Sequence, residues 1–179
     1  MRKLRMDELN RKTVEEFKQA EKIPVLVVLD NVRSAHNVGS VFRTADAFLL
    51  QGIHLCGYTA YPPNRHIDKT ALGATESVAW SHFRTVQESI GWLKGEGFTI
   101  CAAEQAEASI PLYDAAVLDG KKLAVVFGNE VDGIAADVLQ LCDACLEIPQ
   151  AGMKHSLNIS VAAGMVLWEL VRTRIHRYQ

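Results

Sequence analysis

No apolar run in the sequence approaches the roughly 18 residues that a membrane-spanning helix requires, which excludes a helical span. The opening stretch MRKLRMDELNRK is too charged for a secretory signal, so a cytoplasmic protein is the expectation. Cysteine is sparse: Cys56, Cys101, Cys142 and Cys145 are all there is, which excludes a disulfide-dense scaffold. The pair Cys142 and Cys145 forms a C-x-x-C, but no second pair or His-x-His partner stands at zinc spacing. The expectation is therefore ordinary reduced thiols beside a strand. Internal repeats and low-complexity stretches are also lacking, which sets repeat architectures aside. What is present is 179 residues with 49% apolar and 22% charged side chains, the balance of a globular domain able to bury a core.

A formal net charge of −2 argues against a nucleic-acid partner only on average. Residues 85–150 hold 3 basic and 11 acidic side chains, leaving −8 there and +6 elsewhere. The basic residues gather at Arg2, Lys3, Arg5, Arg11 and Lys12, around Arg65–Lys69, and at Arg172, Arg174 and Arg177. Brought together, they would make a phosphate-binding face; kept apart, they are solvated helix ends.

The pattern along the chain alternates strands and helices. Residues 7–20 read as a weakly amphipathic helix capped near Asp7, an extension (residues 1–22) to a main domain spanning 23–179. Val25–Leu29 is a continuous apolar strand of the kind covered on both faces. A helix at 38–49, a strand at 53–56 and a polar, Pro-containing loop through 61–66 follow. A helix at 85–94, strands at 98–103 and 123–127, a helix near 135–141, a strand at 145–148 and a helix from 157 to about 176 complete the reading. This alternation predicts an α/β fold with a parallel sheet, whose ligands sit at the carboxyl ends of the strands.

The last helix carries two apolar stripes. Ile159, Ala162, Ala163, Val166, Leu167 and Leu170 form one, and Val161, Met165 and Trp168 form another nearly opposite. A helix apolar on two faces is buried on two faces. A core plus a subunit interface satisfies that, so a homodimer is expected; a fully internal helix would look the same.

Three stretches after strands carry the chemistry. In Asp30–Asp46, Asn31, Ser34 and Asn37 suit a strand-to-helix turn. Arg43 there lies off the apolar face formed by Val41, Phe42, Ala45, Phe48 and Leu49. It is placed either to hold a phosphate in its fork of donors or simply to pair with Asp46. In Ala124–Ile134, an apolar strand runs into Gly128, and Glu130 follows in a polar turn closed by Gly133. In Ile148–Gly164, Ser156 reads as a helix N-cap and Asn158 falls on the first turn, near free backbone N–H groups.

Taken in order, Asn37-x-Gly-x-x-x-Arg43-x-Ala, Phe127-Gly-Asn-Glu130-x-x-Gly133 and Ile148-Pro…Ser156-Leu-Asn158-x-Ser-x-Ala-x-Gly164 resemble the signature motifs of the SpoU (TrmH-like) family of SPOUT RNA methyltransferases. The resemblance covers about residues 24–172. It implies a parallel-sheet α/β fold with a C-terminal trefoil knot and a homodimer through the last helix. It also implies S-adenosyl-L-methionine held by loops that include Phe127, Gly128, Asn129, Ile148, Ser156 and Leu157. The implied activity is methylation of a ribose 2′-hydroxyl of RNA, tRNA before rRNA, with no metal. Arg43, Asn37, Glu130, Ser156 and Asn158 are the catalytic set by the same resemblance. Asn37 and Glu130 would position Arg43, while Ser156 and Asn158 shape the pocket. Because arginine keeps its proton, Arg43 is better suited to grip a phosphate and stabilise a developing alkoxide than to act as a base.

Arg33, His36, Arg43, Arg65 and Lys69 are the expected RNA contacts. His36 and His155 are alternative bases, and His36, Gln150 and the pair Lys154 and His155 bear on substrate choice. Two competing readings are a non-catalytic RNA-binding protein with this fold and a thiol redox protein using Cys142 and Cys145.

Overall fold

In the computed structural model, which describes residues 1–9, 11–153 and 156–178, the chain builds one parallel sheet covered on both faces. Its strands are β1 (Ile23–Asp30), β2 (Leu50–Cys56), β3 (Trp80–Phe83), β4 (Thr99–Ala103), β5 (Ile110–Pro111), β6 (Leu123–Phe127) and β7 (Ala144–Glu147). The helices are α1 (Val14–Gln19), α2 (Ala35–Ala47), α3 (Arg65–Ala71), α4 (Ala74–Ser77), α5 (Val86–Gly95), α6 (Ala136–Leu139) and α7 (Ile159–Val171). Three 3-10 segments, Met6–Leu9, Leu112–Leu118 and Ile175–Arg177, complete the described elements.

The strand order is β3-β2-β1-β6-β4-β7-β5. The chain lays β1, β2 and β3 outward to one edge, then crosses to the other side, and β6 later enters between β1 and β4. The order reverses at β1 and β6, which is where α/β sheets open a crevice for ligands. Register aligns the two strand ends there: Leu29 stands beside both Leu55 and Phe127. The turns leaving β1 and β6 therefore emerge side by side.

Alternation along the strands supplies two cores. Val25, Val27, Leu29, Val125 and Phe127 face one way, against Phe42 of α2 and Val166 and Leu167 of α7. Leu26, Val28, Ala124 and Val126 face the other, against Ile90 and Leu93 of α5 and Val138 of α6. Such burial contributes about 1.5–3 kcal/mol for each large apolar side chain.

Both termini differ from the expected helices. The 7–20 segment is a 3-10 turn and then the short α1, with Asn10 outside the described residues. The cap is Thr13, not Asp7: its hydroxyl accepts from the Glu16 N–H while the Glu16 carboxylate accepts from the Thr13 N–H, closing a capping box. Phe17, at 5% exposure, ties α1 into the main core. At the other end α7 stops at Val171, and a separate 3-10 turn follows. The two stripes of α7 separate: Ile159, Ala163, Val166, Leu167 and Leu170 are buried and Ala162 is half-buried, while Val161, Met165 and Trp168 are exposed.

The cysteines are free thiols. Burial, reinforced by the neighbouring thiol, pushes Cys142 up to about 11, and burial also raises Cys145. Thiols so disposed to stay protonated are poor nucleophiles, which weighs against the redox reading.

Candidate active site

The turn after β1 is set by Asn31, whose φ of 54° places it in the left-handed region that Asn tolerates. Its Nδ2 donates to Asp30 Oδ1 at 2.9 Å, and its Oδ1 accepts from the Tyr58 N–H at 3.1 Å. Buried Thr59 closes the base of the turn, accepting from the Val32 N–H at 2.9 Å and donating to the Leu29 carbonyl at 3.1 Å. Ser34 then caps α2, its hydroxyl accepting from the Asn37 N–H.

The turn after β6 is a tight hairpin in which Asn129 and Gly133 exchange backbone hydrogen bonds at 3.1 and 3.0 Å. A Cβ on Gly128 would stand 2.3 Å from the Gly133 carbonyl, so only glycine lets the turn close. The Asn129 side chain binds in both directions. Its Oδ1 accepts from the Val131 and Asp132 N–H groups, and its Nδ2 donates to the Asn31 carbonyl at 3.0 Å and to the Tyr58 hydroxyl.

Glu130 joins the two turns. Its carboxylate accepts from the Arg33 N–H (2.9 Å), the Ser34 N–H (3.2 Å) and Asn37 Nδ2 (3.1 Å). Asn37 Oδ1 in turn accepts from Asn158 Nδ2 at 3.3 Å. Partial burial would raise the Glu130 pKa, but the donors from Arg33, Ser34 and Asn37 outweigh it and hold the carboxyl below its ordinary value. Asn158 also caps α7: its Oδ1 accepts from the Ser160 N–H at 2.9 Å and the Ser160 hydroxyl at 2.6 Å. The cap is thus Asn158 and not Ser156, which precedes the helix, exposed, because α7 begins only at Ile159.

Arg43 lies further along α2, exposed, with no hydrogen bond or ion pair among the described residues. Asn37 and Glu130 satisfy each other and do not touch it. Nor does Asp46 pair with it, since Asp46 accepts from the Ser77 hydroxyl at 2.6 Å. The guanidinium opens onto a groove of about 490 Å³ lined by Ser40, Arg43, Thr44, Phe48, Lys69 and Thr70.

Beside this groove, Gly39 lets α2 and α3 touch. A Cβ there would stand 2.3 Å from the Ile67 carbonyl and 2.2 Å from the Thr70 hydroxyl. The Thr70 hydroxyl donates to the His36 carbonyl at 2.9 Å, and the His36 and His66 rings meet edge-on at 5.2 Å. Arg65 Nε donates to His66 Nε2 at 3.2 Å. Thus His36, Arg43, Arg65 and Lys69 share the α2–α3 surface, and Arg33 stands exposed at the start of the turn. Lys154 and His155 lie outside the described residues.

A model of the SpoU rRNA methylase family matches residues 24–168. The chain belongs to the SpoU family. It is 33% identical to a 23S rRNA (guanosine-2′-O-)-methyltransferase of Vibrio parahaemolyticus over 94% of this chain and 67% of that protein. It is 32% identical to the tRNA (guanosine(18)-2′-O)-methyltransferase of Thermus thermophilus, over 94% of this chain and 84% of that one. Among solved structures, an AdoMet-bound rRNA methyltransferase from Sinorhizobium meliloti superposes with a TM-score of 0.79 at 28% identity. That match covers 90% of this chain, which spans about 60% of the length of the Sinorhizobium protein. An A. aeolicus TrmH/SpoU tRNA modifying enzyme gives 0.78 at 26% identity, over 92% and 81% of the two chains.

The chain's candidate surfaces for a nucleoside-bearing sulfonium cofactor are the loops that follow two of its strands. Around the carboxyl ends of β6 and β7, Val131 (69%) on one loop and Met153 (83%) and Leu157 (39%) on the other expose apolar side chains, with Ile148 half-buried near the latter two in sequence. Apolar surfaces of this kind are candidates for the adenine and thioether parts, and the compact Gly128–Gly133 turn offers backbone groups. Phe127 is buried as the last residue of β6 and exposes little surface to a ligand.

Tyr58 is the site residue that the sequence does not reveal. It carries no motif signal, and only the fold brings its hydroxyl to Asn129.

Proposed function

We propose that this SpoU chain transfers the methyl group of S-adenosyl-L-methionine to a ribose 2′-hydroxyl of RNA. The observation that carries the reading is the chain of hydrogen bonds from Glu130 through Asn37 to Asn158, which ties all three motifs together on the α2 helix that presents Arg43 to an open groove. The cofactor supplies a methyl group already activated on a sulfonium, so positioning provides much of the rate. Phe127, Gly128, Asn129, Ile148, Ser156 and Leu157 hold it. Arg43, with no carboxylate partner among the described residues, has its charge free for the RNA phosphate and for the oxygen anion that develops as the hydroxyl attacks. Glu130 and Asn37 fix the turn and the first turn of α2, and Asn158 locks α7 to them. Arg33, His36, Arg65 and Lys69 receive the RNA backbone.

The substrate is a tRNA in this reading, with rRNA the second choice; relatives named for each are similar to this chain to nearly the same degree. Residues 23–179 form the methyltransferase domain with the family's C-terminal trefoil knot, and 1–22 an extension. No helix among the described residues is long and apolar enough to cross a membrane, and the proposed location is the cytoplasm. Val161, Met165 and Trp168 form the apolar face through which two copies pair as a homodimer. Trp168→Glu should give a monomer in light scattering; an unchanged dimer would move the interface elsewhere.

The reading is tested by methyl transfer from labelled S-adenosyl-L-methionine to RNA from a strain lacking the gene, followed by nucleoside analysis. Label in a 2′-O-methyl nucleoside is expected. Label in a methylated base would overturn the target atom. Cofactor binding with no transfer would favour the non-catalytic RNA-binding reading.

A further inference from the structure

Beyond the motif residues, aromatic side chains gather on the edge strand β3 and on the loop that leaves β2. Trp80 and His82 alternate to the same face of β3, the edge strand. Tyr61 lies against both, its ring 6.3 Å from Trp80 at an interplanar angle of 27° and 4.5 Å from His82. His82 is held in turn by its Nε2, 3.1 Å from the Gly57 carbonyl. The next residue, Tyr58, reaches with its hydroxyl to Asn129 in the turn beside Glu130. The contacts thus run without a break from the sheet edge to the candidate active site.

These rings are held in place but only partly covered. Tyr61 remains 49% exposed and Tyr58 60% exposed. An aromatic ring fixed on one side and open on the other presents a flat face at little entropic cost. Cations flank these residues in sequence: Arg65 begins α3 four positions after Tyr61, and Arg84, paired with Glu88 at 3.4 Å, stands two positions after His82. Flat open rings between cations are the chemistry of an unpaired nucleic-acid strand, whose bases stack while its phosphates meet Arg. A protein partner would find few apolar side chains here other than these rings.

We propose that Tyr61 and Tyr58, with His82 supporting Tyr61, form a ledge on which unpaired bases of the substrate RNA stack, so that the enzyme selects RNA splayed open beside the target ribose. This rests on the RNA methyltransferase reading and deepens it.

The test uses the full chain with a fluorescein-labelled single-stranded RNA of mixed sequence and with the duplex it forms with its complement. Tyr61→Ala should weaken single-strand binding by about ten-fold and leave duplex binding within about two-fold, whereas Tyr61→Phe keeps both. Cofactor binding and the melting temperature should not change. In methyl transfer to cellular RNA, Tyr61→Ala should raise KM for RNA with kcat preserved. Single-strand affinity and KM unchanged in a folded Tyr61→Ala protein would overturn the ledge and leave the methyltransferase reading standing. Single-strand binding that depends on Tyr61 in a chain that transfers no methyl would do the reverse.

Discussion

In the proposed site Arg43 and Asn158 have separable tasks. Arg43 makes no hydrogen bond or ion pair among the described residues, so its removal chiefly tests chemistry. Arg43→Ala should lower kcat by about 100- to 1,000-fold while the melting temperature stays put, because a preorganised cation is lost at the developing charge. Arg43→Lys should recover little, since an ammonium lacks the planar fork. A variant with near-normal turnover would remove Arg43 from the mechanism. Asn158 uses its two atoms differently: the oxygen caps α7 and the nitrogen donates to Asn37. Asn158→Asp keeps the cap and loses the donor, so kcat should fall with the melting temperature nearly unchanged. Asn158→Ala loses both and should also cost about 1 kcal/mol of stability, read in chemical denaturation. Equal activity in the two variants with full turnover would show that the link to Asn37 is dispensable.

At the scale of elements, the contact between α2 and α3 is the most exacting. Gly39→Ala drives a methyl group into the Ile67 carbonyl, a backbone atom that cannot rotate away. The cost should be about 1–3 kcal/mol, and the groove holding Arg43 and Lys69 should widen, so that KM for RNA rises as well. A melting temperature equal to that of the parent would refute the tight approach.

The same pair of helices shows what is legible in the sequence. The buried strands can be read directly: Leu123–Phe127 has the bounds that its apolar run predicts, because an unbroken run of that length has one explanation beneath two helical layers. α2 is recognisable from its apolar face, and the three motifs single out Asn37, Glu130 and Asn158, which the fold then joins by hydrogen bonds. α3 and β3 leave no such trace. α3 spans only Arg65–Ala71, with Ile67 and Ala71 its buried residues, too short to display a helical period. β3 reads Trp-Ser-His-Phe and is half-exposed at an edge, so neither composition nor alternation marks it. The cap of α7 is ambiguous in sequence because Ser156 and Asn158 are both good caps, and only the observed start at Ile159 decides between them.

Across the whole molecule, stability should depend on pH through a residue far from the chemistry. His54 is buried in β2 between the Phe83 and Trp92 rings, its Nδ1 2.8 Å from the Ser89 hydroxyl. Burial lowers its pKa from 6.5 to about 4. The folded state thus binds this proton less readily than the unfolded chain. The contribution is fully present above about pH 6.5 and is lost as pH falls toward about 4, amounting to about 3 kcal/mol. Denaturation midpoints measured across that window should drop for the parent and flatten for His54→Gln; parallel curves would assign the acid sensitivity to carboxylates.

The hydrogen bond from Asn158 to Asn37 closes a loop of 121 residues. Loop-closure entropy makes so distant a contact one of the last to become favourable, and a sheet of parallel strands already folds slowly. During synthesis the strands and both early turns can collapse before Asn158 has left the ribosome. The proposed catalytic arrangement is therefore a late arrival: refolding followed by tryptophan fluorescence should plateau before cofactor binding returns.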